Sequence, residues 1–539
     1  MKRLLSSLLL SALDLQIFAE EVPHPRIGLV LSGGGARGAA HVGVLKVLEE
    51  MRIPITAVAG TSMGALVGGA YASGVRVDRL EEELTSADWD DLFVDEPTRN
   101  QWPMRRKDDR GQPTWDFSIG VRDGRPKLPK GALAGQKIEL FFAGLVKGAE
   151  LVEDFDDLPI PYRAIATDLE DGSMRVFATG SLPEVMRASM SVPGVFAPVE
   201  IDERLYVDGG LVRNLPVDVA RRMGVDLVIA INLGSSYLPR DRLATVVGVM
   251  GQMVAILTEQ NVQRSLVEID PDRDILILPD LGDIGSRDFK RAAEAIAAGE
   301  RAARTAAPRL AHLSLSPAQY AAWRASRPSP PRLAGQVDEV RVVGIDRVNA
   351  DLFEPLIKNQ QGRPLDRQQL ESDIQALYGR GDFERITYRI VRTEGHELII
   401  VDAVEKSWGP GYLSFGLGFR TDFSGDNRFG LRGTYRRTWL NRLGGEWLTS
   451  LQIGNELDLF TELYQPLHLD RTGFIAPYLH VQRSPLSVFS GSDRIARYDV
   501  TRTAVGLDVG STLFEERAEL RLGALLGRAR TQLDTGEPS

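Results

Sequence analysis

Residues 55–64 read Ile55-Thr56-Ala57-Val58-Ala59-Gly60-Thr61-Ser62-Met63-Gly64, a short apolar strand that runs into a serine flanked by glycines. Small and apolar residues follow, in a helical pattern. This G-x-S-x-G arrangement lifts a serine hydroxyl out of a tight strand-to-helix turn. Gly60 and Gly64 sit two residues either side of Ser62, where a Cβ would clash as the strand folds back on the helix. The unpaired N–H groups at the helix start favour negative charge beside the hydroxyl. Ser62 is therefore the candidate nucleophile.

Upstream, Arg26–Ser32 reads as a buried strand and Ala39–Met51 as a helix, with Val42, Leu45 and Leu48 on its apolar face. Between them lies Gly33-Gly34-Gly35-Ala36-Arg37-Gly38. Gly33, Gly35 and Gly38 satisfy G-x-G-x-x-G, the fingerprint of a dinucleotide site. Such a site needs an acidic residue about 20 positions later, on the second strand. Position 58 is Val58, and the second strand ends at Ser62 instead. The same loop serves as an oxyanion hole, whose backbone N–H groups converge on a developing negative oxygen. Arg37 is a candidate to hold the loop or to attract an anionic head group, with a solvated loop cation as the alternative.

Downstream, Tyr162–Asp168, Met174–Thr179, Arg204–Val207 and Leu227–Leu233 read as strands, with a helix at Leu182–Met190 and helical patterns to about Ala306. Strands alternating with helices predict an α/β domain with a mostly parallel sheet. Asp208-Gly209-Gly210 ends one of the strands. Asp208 is a candidate general base for Ser62, although Asp-Gly-Gly also makes an ordinary turn. Between Arg26 and Leu315 the histidines are His41 and His312. A Ser62–Asp208–His312 triad is formally available in that chain order. The polar, Pro/Gly-punctuated stretch Glu96–Gly135 is a candidate lid or a surface loop.

Gly33–Gly38, Gly60–Gly64 and Asp208-Gly209-Gly210, in this order and with the block Ala188-Ser189-Met190-Ser191-Val192-Pro193-Gly194, resemble the patatin-like phospholipase family. The resemblance covers roughly residues 25–315. It implies a Ser62–Asp208 dyad, the Gly33–Gly38 loop as oxyanion hole, and hydrolysis of lipid acyl esters without a metal or other cofactor. It also implies that His41 packs beside the loop. Composition is consistent with this and excludes several alternatives. The chain has 539 residues, no cysteine and six histidines in no zinc spacing, so thiolate sites and a cysteine nucleophile are excluded. A net charge of −10 argues against nucleic acid as a partner.

The remaining segments give the domain plan 1–20, 21–315, 316–334, 335–405 and 406–539. Lys2 and Arg3 precede the apolar run Leu4–Leu13, so residues 1–20 read as a signal peptide. Residues 21–315 hold every catalytic motif and are expected to act as an autonomous hydrolase. Residues 316–334 include a proline-rich run and read as a semi-rigid linker. Residues 335–405 give a β-α-α-β-β order that resembles a polypeptide-transport-associated (POTRA) domain. After Gly409, Leu413, Phe415, Leu417 and Phe419 alternate with Ser414, Gly416 and Gly418, and the pattern repeats around Leu431, Leu451 and Leu507. Such strands predict the start of a transmembrane antiparallel β-barrel, with a soluble β-sandwich as the alternative. About seven strands fit, against the sixteen of a POTRA-linked barrel, which suggests a truncated product. The order resembles the patatin-like autotransporters of Gram-negative bacteria. That resemblance implies a phospholipid-ester hydrolase held at the outer membrane. A transport or assembly protein with a silent front domain is the alternative.

Overall fold

The structure is a computed structural model and describes residues 24–110, 118–235, 237–333, 335–421, 427–491, 493–514 and 516–536. The expected signal peptide lies outside the described residues, as does part of the Glu96–Gly135 stretch.

Strands β1 (Ile27–Leu31), β2 (Ile55–Thr61), β3 (Ser118–Arg122), β4 (Arg125–Lys127), β5 (Tyr162–Asp168), β6 (Met174–Phe177), β7 (Val199–Ile201), β8 (Arg204–Asp208), β9 (Leu227–Ile231) and β10 (Ile275–Ile277) come first. All but β3 and β4 form one sheet in the order β10-β9-β1-β2-β5-β8-β7, with β6 beside β5. From β10 to β5 the pairing is parallel, whereas β6, β8 and β7 join antiparallel. Every residue of β1 and β9 is buried, because helices cover both faces. Leu29 and Leu31 pack toward the helices Ala40–Glu50 and Ala292–Leu310. Val30, with its side chain on the opposite face, packs with Val217 and Val219 of the helix Val217–Arg222. Ser62 lies where β2 ends, at the carboxyl edge of the parallel strands, where open α/β sheets place their sites.

The expected linker is half helical. Ser316 and Gln319 form a capping box, Pro317 opens the turn, and the helix Pro317–Ser326 follows. Next come β11 (Glu339–Val343), the helices Glu354–Gln360 and Arg367–Gly379, β12 (Phe383–Thr393) and β13 (His396–Glu405). The β-α-α-β-β order read from the sequence is therefore present, and the strands run β11-β13-β12.

The C-terminal region is one antiparallel sheet of β14 (Gly411–Thr421), β15 (Asn427–Arg437), β16 (Glu446–Gly454), β17 (Leu457–Pro466), β18 (Phe474–Ser490), β19 (Asp493–Leu513) and β20 (Ala518–Gly536). Its two faces differ in kind. Leu417, Leu431 and Ile453 form an exposed apolar cross-strand row. The row Ser414-Thr434-Ser450-Phe460-His480 lines a concave cavity of about 860 Å³. Among the described residues no pairing closes the sheet into a barrel, and no second sheet covers its apolar face.

Described parts of the Glu96–Gly135 stretch pack into the C-terminal region and are not a free surface loop. β3 pairs with β14 and β4 with β3, so the hairpin extends the C-terminal sheet. The helix Met104–Arg110 enters the concave face. There Arg105 meets Glu446 at 3.0 Å and Glu462 at 2.8 Å, while Arg106 meets Glu446 at 2.7 Å. Glu446 is fully buried, so these cations compensate a carboxylate that could not remain there alone. One segment within residues 21–315 thus packs on the C-terminal sheet. Amphipathic patterning identifies which residues of an insertion seek burial, but not which domain buries them.

Candidate active site

β2 delivers Ser62 with φ +53° and ψ −125°, a left-handed conformation that costs a non-glycine residue on the order of 1–3 kcal/mol. The surrounding packing enforces it. A Cβ on Gly60 would come within 2.3 Å of the Gly64 carbonyl oxygen, and one on Gly64 within 2.3 Å of the Leu31 carbonyl oxygen. Ser62 N–H donates to Ser189 Oγ at 2.8 Å, and Ser189 Oγ–H donates to the Ile165 carbonyl at 2.6 Å. Ser62 Oγ–H donates to Asp208 Oδ2 at 2.7 Å. Asp208 reaches it from β8 across the intervening β5, rather than from an adjacent strand. Gly209 and Gly210 open the turn after β8, and Gly210 N–H donates to Asp208 Oδ1 at 2.7 Å.

The glycine loop abuts this pair. A Cβ on Gly33 would lie 2.9 Å from Ser62 Cβ and 2.5 Å from Asn214 Oδ1. Two of the loop amides are already engaged: Gly33 N–H donates to Asn214 Oδ1 at 3.1 Å, and Ala36 N–H to the Ser286 carbonyl at 2.9 Å. Gly34, Gly35 and Gly38 complete the turn into the helix Ala40–Glu50. Arg37 donates to the Leu233 and Gly234 carbonyls at 2.5 and 3.0 Å, so it clamps the loop after β9 and is not a solvated cation. Asn214 N–H donates to Asn261 Oδ1 at 2.7 Å, and Asn261 Nδ2 donates to the Gly210 carbonyl at 2.8 Å. Ser189, Asn214 and Asn261 were not legible as site residues. Only Ser189 carried a signal, its place in the block Ala188–Gly194.

Ser62 and Asp208 are 6% and 5% exposed. Burial pushes the Asp208 carboxyl up to about 6, opposed by the Gly210 N–H and Ser62 hydroxyl bonds that favour its ionised form. Such a carboxylate is a better base than a solvated aspartate and is ionised at neutral pH. Ester turnover is therefore expected to show an acidic limb, rising with pH through about 6 and reaching a plateau above it. A kcat/KM profile on a short-chain ester checks this, and a limb near 4 would remove the argument.

The histidines take no part in this pair. His41 is buried and its Nε2 bonds the Ser32 carbonyl at 2.7 Å, with burial lowering its pKa to about 4. His312 is exposed, and Leu315 close by bonds Arg52 before the start of β2. Seven strand residues separate that end from Ser62, roughly 20 Å. A His312 triad is overturned.

The N-terminal region is similar to known proteins. Residues 29–221 match the model of the patatin-like phospholipase family. An uncharacterized NTE family protein of Mycobacterium tuberculosis is 38% identical over 212 residues, covering 39% of this chain and 50% of the relative. The human patatin-like phospholipase domain-containing protein 6 is 34% identical over 211 residues, covering 39% of this chain and 13% of the relative. The chain thus spans half the length, or less, of these curated relatives. The crystal structure of VipD from Legionella pneumophila aligns with a TM-score of 0.30 at 15% identity, covering 52% of this chain and 66% of that one. With Ser62, Asp208 and the glycine loop all inside the matched span, the chain carries a patatin-like phospholipase domain over residues 29–221.

Proposed function

We propose that this domain hydrolyses acyl esters of phospholipids through Ser62 and Asp208 alone. The observation that carries the reading is the buried 2.7 Å bond from Ser62 Oγ–H to Asp208 Oδ2, with no histidine among the described residues bonded to either group. Asp208 takes the hydroxyl proton as Ser62 Oγ attacks the ester carbonyl. The oxyanion is received by loop amides that are not otherwise engaged and by the first N–H groups of the helix Met63–Ala72. Asp208 returns the proton to the departing alcohol and leaves acyl-Ser62. Water then attacks with Asp208 again as base, which frees the fatty acid and restores the serine.

The full chain, purified in detergent micelles with a chelator present, is expected to release fatty acid from a fluorogenic phospholipid. A folded chain that is silent would favour the alternative, an outer-membrane transport or assembly protein with an inactive front domain. We further propose that the C-terminal sheet belongs to an outer-membrane β-barrel of a Gram-negative bacterium, preceded by a POTRA-like domain. Its exposed apolar face and polar concave face support this. The chain is expected to stay with the membrane fraction until detergent is added. Recovery in the soluble fraction as a monodisperse species would sink that assignment.

A further inference from the structure

We infer that the small β-α-α-β-β domain holds the catalytic pair in register, and that Gln136 is the positioning residue through which it does so. The inference rests on the hydrolase reading above. β12 is an edge strand in the order β11-β13-β12, so alternate residues turn their N–H and C=O away from the sheet. At Ile386 both groups are taken by one side chain of the α/β domain. Gln136 Nε2 donates to the Ile386 carbonyl at 2.7 Å, and Ile386 N–H donates to Gln136 Oε1 at 2.6 Å. A carboxamide has the one donor and one acceptor that a neighbouring strand would offer there. Both residues are buried, at 2% and 0% exposure. One turn along the same helix face, Glu139 Oε2 accepts from Arg385 Nη1 at 2.9 Å.

The helix so gripped, Gln136–Leu145, leads back to the site. Asp95 caps its start, accepting from Gly135 N–H and Gln136 N–H at 2.9 Å each. The preceding carbonyl, of Ala134, accepts from Arg187 Nη2 at 2.9 Å. Arg187 is 1% exposed, and its Nη1 donates to Ser191 Oγ at 2.6 Å. The Ser191 carbonyl accepts from Asp208 N–H at 3.0 Å, and Ser189, on the Arg187 helix, holds Ser62 N–H. A continuous set of buried and part-buried bonds therefore joins β12 to the backbone of both reacting residues. Such polar docking is cooperative, because removing one partner strands the other in a dry interface. A displacement of about 1 Å in a positioned nucleophile can cost turnover far more than binding.

The test uses the full chain in detergent micelles. Gln136→Leu is expected to lower kcat about 10-fold with KM within two-fold, and to slow fluorophosphonate labelling in parallel, while the fraction labelled at saturation stays that of the parent. Arg385→Leu, which lies outside the α/β domain, is expected to act in the same direction and decides the matter if Gln136→Leu does not fold. Gly144→Ala, on the same helix with open space around the added Cβ, is expected to match the parent. An active parent whose Gln136→Leu and Arg385→Leu variants keep kcat within two-fold overturns this inference alone. A loss confined to the saturating labelled fraction does the same, since that is lost folding rather than lost positioning. A folded parent that neither hydrolyses nor labels overturns the hydrolase reading and this inference with it.

Discussion

Ser62→Ala is expected to abolish lipid hydrolysis, by about 10³-fold or more, and to abolish covalent labelling by a fluorophosphonate. The argument rests on the conformation at residue 62 as much as on its hydroxyl. The turn holds φ at +53° whichever small side chain is present, because Gly60, Gly64 and the Ser189 bond to the backbone N–H all persist in the variant. Alanine therefore leaves the loop, the helix start and Asp208 in place and removes only the attacking oxygen. Residual turnover would be that of a water molecule poised by Asp208 and the amides, which is small beside covalent catalysis. Labelling with mass-spectrometric assignment of the adduct checks it. An adduct on another serine, or turnover within about 10-fold of the parent, would move the nucleophile elsewhere.

Asp208→Asn is expected to lower kcat about 10²-fold or more and to erase the acidic limb, while leaving a folded protein. Asparagine keeps the Gly210 N–H bond through its oxygen. Its NH₂ then faces Ser62 Oγ, so the serine turns from donor to acceptor and nothing takes its proton. The same substitution is expected to stabilise the fold above pH 6. The folded carboxyl sits at about 6, above its ordinary value near 3.8, so its ionisation opposes folding. That penalty is absent below about 4, grows as pH rises, and is complete above about 6, on the order of 2–3 kcal/mol. Chemical denaturation at pH 5 and pH 8 checks this, with the variant's advantage at pH 5 about half of that at pH 8. His312→Ala serves as control and is expected to stay within a few-fold of the parent. A destabilised, fully active Asp208→Asn variant would reverse the assignment of the base.

What was legible in the sequence was local. Ser62 and its glycines announce themselves because the turn tolerates no Cβ at 60 or 64, a constraint written in a five-residue window. Asp208 was legible as a strand-end carboxylate followed by two glycines, and histidine poverty pointed away from a triad. The alternation after Gly409 gave the seven C-terminal strands, since a period of two survives any tertiary context. Long-range placement was not legible. Nothing in Ser118–Lys127 says that its partner strand begins at Gly411, nearly three hundred residues away. Asn214 and Asn261 look like ordinary polar residues until β8 and the helix Val246–Leu266 bring them beside Gly33 and Gly210. Arg37 was read as holding the loop, attracting an anionic head group or lying in solvent, and its bonds to the Leu233 and Gly234 carbonyls tie the glycine loop to the loop after β9.

The hairpin β3–β4 and the helix Met104–Arg110 make the path of the chain consequential for proteolysis. The polypeptide leaves the α/β domain for the C-terminal sheet, returns, and leaves again through residues 327–333. A protease that cuts only that last crossing severs the covalent route but not the assembly. The N-terminal fragment would still own two strands of the sheet and two arginines locked on Glu446 and Glu462. Freeing the α/β half takes a cut at each of the three crossings or an unfolded sheet, so a single processing event is expected to yield a clipped, two-chain protein that migrates as one until it is denatured.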